Sequence, residues 1–96
     1  MGLLRQFMLA RVAARMAVPG APAVLAAVVD HGPVTDEEVH HLIATGQIGD
    51  PDSAGVDSPA DVHRVGKIIA SAGAVTWDGA AWHATSIGHQ LIGHHR

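Results

Sequence analysis

The feature that most constrains the fold is the run of residues 74–92, AVTWDGAAWHATSIGHQLI. Apolar and polar residues alternate on either side of the turn-forming pair Asp78-Gly79, which is the pattern of a β-hairpin. A four-residue connection makes Trp77 and Trp82 cross-strand neighbours, and such an aromatic pair contributes up to about 1 kcal/mol. Directly after the hairpin, Thr85 or Ser86 can cap a short closing helix.

Three further helices are predicted ahead of the hairpin, over residues 23–31, 36–44 and about 59–72. Each has apolar residues at helical spacing and a recognisable start or stop signal. The clearest signal is a capping box, in which Thr35 caps the helix and Glu38 follows three positions later. Between the second and third helices, the stretch 45–57 is rich in Gly, Asp, Pro and Ser and is predicted to be a long loop.

This order of helix, capped helix, loop, amphipathic helix, hairpin and closing helix resembles that of small bacterial and phage winged-helix regulators. In that family the hairpin, here residues 74–84, is the wing, and the helix after it closes the domain. The resemblance implies a fold that is mainly α with a small β-hairpin. It places a winged helix-turn-helix domain at residues 21–92, which leaves outside the domain an extra N-terminal helix within 1–20 and a polar tail at 93–96.

The resemblance also implies a function, because the helix at about 59–72 would be the recognition helix in the major groove of double-stranded DNA. Arg64 can bond a guanine bidentately, while Lys67 and Ser71 can meet phosphates or base edges. The full set of expected nucleic-acid contacts is His63, Arg64, Lys67, Ser71 and His83. The alternative is that Arg64 and Lys67 are only the solvated side of an amphipathic helix.

Residues 2–17 are rich in Leu, Met, Ala and Arg and contain neither Gly nor Pro after Gly2, which predicts one helix. The arginines interrupt the apolar run, so it is too short to span a membrane. Most of the surface of this helix would be apolar, so we expect it to pack against its own domain or to form a homodimer. The expected partner contacts are Leu3, Phe7, Arg11, Ala14 and Arg15.

The formal net charge of −3 hides an asymmetry along the chain. Residues 1–29 contain three arginines and no acid, whereas residues 30–96 contain nine acids against Arg64, Lys67 and Arg96. The body of the chain therefore lacks the basic footprint of most nucleic-acid binders, and its hairpin carries no Lys or Arg. These charges favour a second function, in which the same fold is a protein–protein interaction module that binds a phage or host factor.

The remaining chemistry is limited by composition. The chain contains no cysteine, which excludes disulfides and thiolate metal sites and favours a reducing, cytoplasmic setting. Its eight histidines lack ligand spacing, since the adjacent His40 and His41 leave a helix about 100° apart. No spacing of Ser, His and Asp matches a hydrolase or a phosphate loop. We therefore expect a non-enzymatic regulator with no metal site and no cofactor.

Overall fold

Six regular elements follow one another in the part of the chain that the computed structural model describes, residues 18–49 and 55–95. They are α1 (Ala21–His31), α2 (Asp36–Ala44), α3 (Pro59–Ser71), β1 (Val75–Trp77), β2 (Trp82–Ala84) and α4 (Ser86–His95). The prediction of a mainly α chain with one small hairpin is confirmed. Within these ranges no helix combines the length and the apolar character needed to cross a membrane.

The predicted N-terminal helix lies outside the described residues. So do all of the partner contacts expected on it, namely Leu3, Phe7, Arg11, Ala14 and Arg15. At the other end of the chain the structure differs from the expected tail at 93–96, because the backbone of α4 is helical through His95. Thr85 caps this helix, since its Oγ1 accepts a hydrogen bond from the backbone N–H of Gly88 (3.1 Å).

The start of α2 confirms the predicted capping box. The Thr35 hydroxyl accepts a hydrogen bond from the backbone N–H of Glu38, and the Glu38 carboxylate accepts one from the backbone N–H of Thr35, both at 3.1 Å. Three acids occupy the first turn, where their negative charges interact favourably with the positive end of the helix dipole. Val39 and Ile43 then face the core. The cap fixes the residue at which α2 begins, and therefore which of its side chains point into the core.

The α3 helix is amphipathic in the way that its sequence predicts. Ser58 caps it by accepting a hydrogen bond from the backbone N–H of Asp61 (3.2 Å), and Pro59 occupies the first turn. The helix ends just before Gly73, whose φ of +83° is a left-handed conformation that glycine adopts without strain. Its buried side consists of Val62, Val65, Gly66 and Ile69, and the helix packs against α1, α2 and β1.

The hairpin has the predicted register, in which Trp77 lies opposite Trp82 and Val75 lies opposite Ala84. A third stretch of chain joins its edge, because Val34, between α1 and α2, forms an isolated antiparallel bridge with Trp82. The backbone N–H of Trp82 donates to the carbonyl of Val34 (2.7 Å), and the N–H of Val34 donates back (3.2 Å). The hairpin is thereby tied to the connection that leads into α2.

Trp82 is the largest fully buried side chain of the core, with 0% of its surface exposed. Its indole lies against Gly66 of α3, where a Cβ atom would come within 2.5 Å of the ring carbon Cζ2. Such an approach is possible only because Gly66 has no side chain. Burying an aromatic side chain of this kind contributes about 1.5–3 kcal/mol, so this contact is a major part of a small core.

The long loop at residues 45–57 is anchored at its described ends, while residues 50–54 lie outside the described part. Ile48 is half-buried against the core, and Val56 is 5% exposed. Gly55, with φ +83°, lies against the backbone of Pro19 and Gly20 at the start of α1. The loop therefore contributes one buried side chain to the core just before α3 begins.

We expect Gly66→Ala to lower the free energy of unfolding by about 1 kcal/mol or more. The added methyl group overlaps the Trp82 ring, and such overpacking costs about 1–3 kcal/mol. The better helix propensity of alanine returns up to about 1 kcal/mol. Urea unfolding measures the difference, with Lys67→Ala at the next, exposed position as the control. Equal stability of the two variants would contradict the tight Gly66–Trp82 contact.

Candidate nucleic-acid interface

The outward side of α3 presents one continuous exposed strip of side chains. We call it the α3 stripe, and it consists of Ala60, Arg64, Lys67 and Ser71. These positions follow the spacing i, i+4, i+7 and i+11, which places them on the side opposite the buried residues of the helix. Arg64 and Lys67 are the only Lys or Arg residues within the described ranges. The stripe therefore concentrates the basic side chains of this part of the molecule.

Arg64 is held only loosely within its own helix. Its Nε lies 3.7 Å from Oδ1 of Asp61, and 56% of the Arg64 side chain is exposed. An exposed ion pair at i, i+3 contributes at most about 1 kcal/mol, so the guanidinium can exchange this carboxylate for another acceptor. At the end of the stripe the Ser71 hydroxyl donates to the carbonyl of Ile68, which leaves its oxygen able to accept.

His63 is turned away from the stripe toward the hairpin. Its Nδ1 lies 3.0 Å from Oδ2 of Asp36, so the ring donates a hydrogen bond to that carboxylate. Its ring centroid lies 5.0 Å from that of Trp77, in an edge-to-face arrangement, and 5.5 Å from that of Trp82. The side chain is 35% exposed. His63 therefore borders the α3 stripe while its donor is engaged inside the domain.

Asp36 joins three elements through one carboxylate. Oδ1 accepts a hydrogen bond from the indole N–H of Trp82 (2.7 Å), while Oδ2 accepts from His63. The same residue begins α2, so α2, α3 and the hairpin meet at this side chain. Among the described residues no buried side-chain nitrogen or oxygen lacks a hydrogen-bond partner. Asp36 supplies the acceptor that the buried indole requires.

Sequence reasoning treats Asp36 only as a first-turn acid and misses this role. A signal was nevertheless present, because a tryptophan in a predicted core strand needs an acceptor for its N–H group. Choosing among the nine acids of the chain requires the tertiary arrangement, since Asp36 and Trp82 are 46 positions apart. The buried indole N–H therefore indicates that a carboxylate or carbonyl acceptor lies nearby, but it does not identify which one.

The structure does not bring His83 beside the α3 stripe. Along a strand successive side chains point to opposite faces, so His83 lies on the other face of the hairpin from Trp82, which packs on α3. Its Nε2 is 2.6 Å from Oδ2 of Asp78 in the turn. The stripe thus contains three of the five predicted contacts, namely Arg64, Lys67 and Ser71, with His63 at its border and His83 apart from it.

The tip of the hairpin is anionic. Oδ1 of Asp78 accepts hydrogen bonds from the backbone N–H groups of Ala80 (2.8 Å) and Ala81 (2.7 Å), while His83 donates to Oδ2. These hydrogen bonds, that from His83 first, lower the pKa of Asp78 to about 2. The carboxylate organises the turn and gives it a negative charge that repels phosphate. No group of three or more potential metal ligands occurs among the described residues.

We expect Asp36→Ala to lower the free energy of unfolding by about 1–3 kcal/mol, because it leaves the buried Trp82 N–H without an acceptor. Urea unfolding at neutral pH measures the loss. Glu37→Ala is the matched control, since it removes the neighbouring first-turn acid, which is exposed. Asp36→Asn retains an acceptor oxygen and should lose less. Equal losses in the two alanine variants would limit the role of Asp36 to the helix dipole.

The lowered pKa of Asp78 predicts a specific dependence of stability on pH. A carboxyl whose pKa falls from 3.8 to about 2 on folding stabilises the folded state above pH 4, and this contribution disappears as pH falls toward 2. Asp78→Asn retains the acceptor for the turn but does not titrate. The stability difference between wild type and Asp78→Asn should therefore shrink between pH 4 and pH 2, as measured by urea unfolding. A difference that is constant across this range would contradict the assignment.

Comparisons of this chain with protein-family models, with curated proteins and with solved structures found no match. The arrangement of its own side chains is therefore the only basis for assigning a function to the described part of the chain. The arrangement that carries it is the exposed basic stripe of α3, whose opposite side is fixed to the core by the Gly66–Trp82 contact.

Proposed function

We propose that this chain is a non-enzymatic, DNA-binding transcriptional regulator with a winged helix-turn-helix fold, in which α3 enters the major groove. The observation that carries the proposal is the α3 stripe, where Arg64 and Lys67 lie about one helical turn apart on an exposed face. An α-helix fits the major groove of B-DNA, and arginine is the side chain most often used there to read guanine. Lys67 would meet a phosphate or a second base edge.

The order of the elements supports this fold. The helices α2 and α3 follow each other and pack together, and the hairpin comes directly after the second of them. The bridge between Val34 and Trp82 adds a short third extended segment to the hairpin. This segment comes from the connection before α2, which is where a winged-helix sheet has its first strand. In this arrangement the buried side of α3 faces the core and its stripe faces outward.

The number of basic side chains on the stripe argues for binding as a dimer. Two cations on one recognition helix neutralise few phosphates, and DNA affinity depends strongly on that number. Two copies on adjacent half-sites double the contacts and gain from the high effective concentration of the second helix. We therefore propose a homodimer, acting in the cytoplasm without a cofactor.

Replacing both Arg64 and Lys67 with alanine should abolish sequence-specific binding and weaken binding to random duplex DNA. Each lost phosphate contact reduces the slope of log K against log salt by about 0.9, so the slope should fall by up to about 2 for each bound subunit, or about 4 for a dimer. Fluorescence anisotropy of a labelled random duplex, titrated with salt, measures both effects. Both residues are exposed, so the fold should remain intact by circular dichroism.

Two further variants serve as controls, one expected to raise the affinity for DNA and one expected to leave it unchanged. Asp61→Asn removes the carboxylate beside Arg64 and should raise the affinity for DNA, most clearly at low salt. Gln47→Ala combined with Gln90→Ala changes two exposed polar residues away from α3 and should leave the affinity unchanged. Binding by the Arg64→Ala/Lys67→Ala variant with the wild-type affinity and salt slope would overturn the assignment of α3.

The second candidate is a protein–protein interaction module, and the observation that favours it is the anionic hairpin tip. Asp78 carries a negative charge across the physiological pH range, at the position where a DNA-binding wing approaches phosphate. The salt titration separates the two functions. A DNA binder has a measurable affinity for random duplex that falls steeply with salt, whereas an interaction module of this charge has almost none.

A further inference from the structure

A groove of about 530 Å³ lies beside α2, and no residue of the α3 stripe lines it. It is lined by His31, Val34, Glu37, Glu38, His41 and Leu42. Of the four lining residues that belong to α2, Glu37, Glu38 and His41 lie away from Val39 and Ile43, which face the core, while Leu42 lies beside Val39 and is half-buried. We call this feature the α2 groove. It is separate from the Asp36–His63 contact and from every expected DNA contact.

The α2 groove combines an apolar base with an acidic rim. The side chains of Val34 and Leu42 form the apolar base, and the side chain of Leu42 is only half-buried. Glu37 and Glu38 are exposed on the rim, and neither forms an ion pair with another residue of the described ranges. Glu38 uses one carboxylate oxygen in the capping box, whereas Glu37 uses neither. Such a surface suits a segment that carries basic side chains beside apolar ones.

We propose that the α2 groove binds residues 2–17 of a second copy of this chain. The sequence of that segment has the complementary chemistry, with Arg5, Arg11 and Arg15, no acid, and apolar residues that include Leu3 and Phe7. Its side chains therefore fill the apolar base while its arginines meet the glutamates of the rim. The inference deepens the homodimer of the proposed function and does not depend on DNA binding.

Symmetry favours a second copy over the same chain as the source of the segment. The segment joins the domain at the N-terminal end of α1, whereas His31 places the groove at the C-terminal end of that eleven-residue helix, about 16 Å away. A helical segment of sixteen residues is about 24 Å long, so its length covers this distance. Reciprocal exchange, however, forms two identical contacts about a two-fold axis, which doubles the buried area.

Sedimentation equilibrium of the full chain, without DNA, tests the proposal. Wild type should dimerise, and Glu37→Arg should raise the dimer dissociation constant at least about tenfold, because it places like charges together. Asp57→Arg is the matched control, since it makes the same charge change at an exposed acid outside the groove and should leave the constant unchanged. Circular dichroism verifies that each variant is folded.

A mixing experiment then identifies the two surfaces directly. Arg11→Glu/Arg15→Glu should also be monomeric, because its segment then carries acids toward an acidic groove. An equimolar mixture with Glu37→Arg should restore a heterodimer, since one contact is then native and the other has both charges reversed. Misfolding of either variant cannot produce this rescue. The rescue supports the proposal whether or not the α3 variants lose DNA binding.

Three outcomes would overturn the proposal. One is a wild-type chain that stays monomeric, which would mean that residues 2–17 pack on their own domain or bind another protein. Another is equal dimerisation by Glu37→Arg and Asp57→Arg, which would place the dimer interface elsewhere. The third is a mixture that stays monomeric while both variants are folded. Loss of DNA binding in the α3 variants, by contrast, tests only the proposed function.

Discussion

The structure depends on the complete burial of one indole. Trp82 lies at 0% exposure with its ring against Gly66 and its N–H bonded to Asp36, while its backbone bridges to Val34. A small domain has few other ways to fix its elements, since its core otherwise consists mostly of Val, Ala, Ile and Leu. Because each partner of Trp82 comes from a different part of the chain, a single side chain sets how the hairpin, α2 and α3 meet.

Apart from the exposed Arg64–Asp61 pair on α3, the basic and acidic side chains of the described ranges are concentrated on different surfaces. Within the described ranges the basic side chains lie on the α3 stripe, while Glu37 and Glu38 lie on the α2 groove and Asp78 lies at the hairpin tip. Screening in water limits the field of each cluster to about 8–10 Å, so the surfaces act almost independently. One face can therefore attract an anionic partner while another attracts a basic one, although the formal net charge is only −3.

Local features were predictable from the sequence, and long-range contacts were not. The capping box at Thr35 and Glu38 and the Trp77–Trp82 register depend on neighbouring residues, so pattern and turn chemistry suffice. The bond from Asp36 to Trp82 depends on tertiary packing, which no local rule supplies. His83 is an intermediate case, since strand alternation after a buried Trp82 already indicates that it faces away from the core. The resemblance predicts that His63 contacts nucleic acid beside Arg64, but His63 borders the α3 stripe and donates its hydrogen bond inward, to Asp36.

The separation between the two sides of α3 has a consequence for how such a protein diversifies. The residues of the α3 stripe are exposed and lie outside the core, so substitutions there change stability little. The buried side, by contrast, is fixed by the shape of the indole and tolerates almost no added volume at Gly66. A scaffold of this kind can exchange the exposed residues of α3, and with them the charge of that surface, while the fold beneath them stays the same.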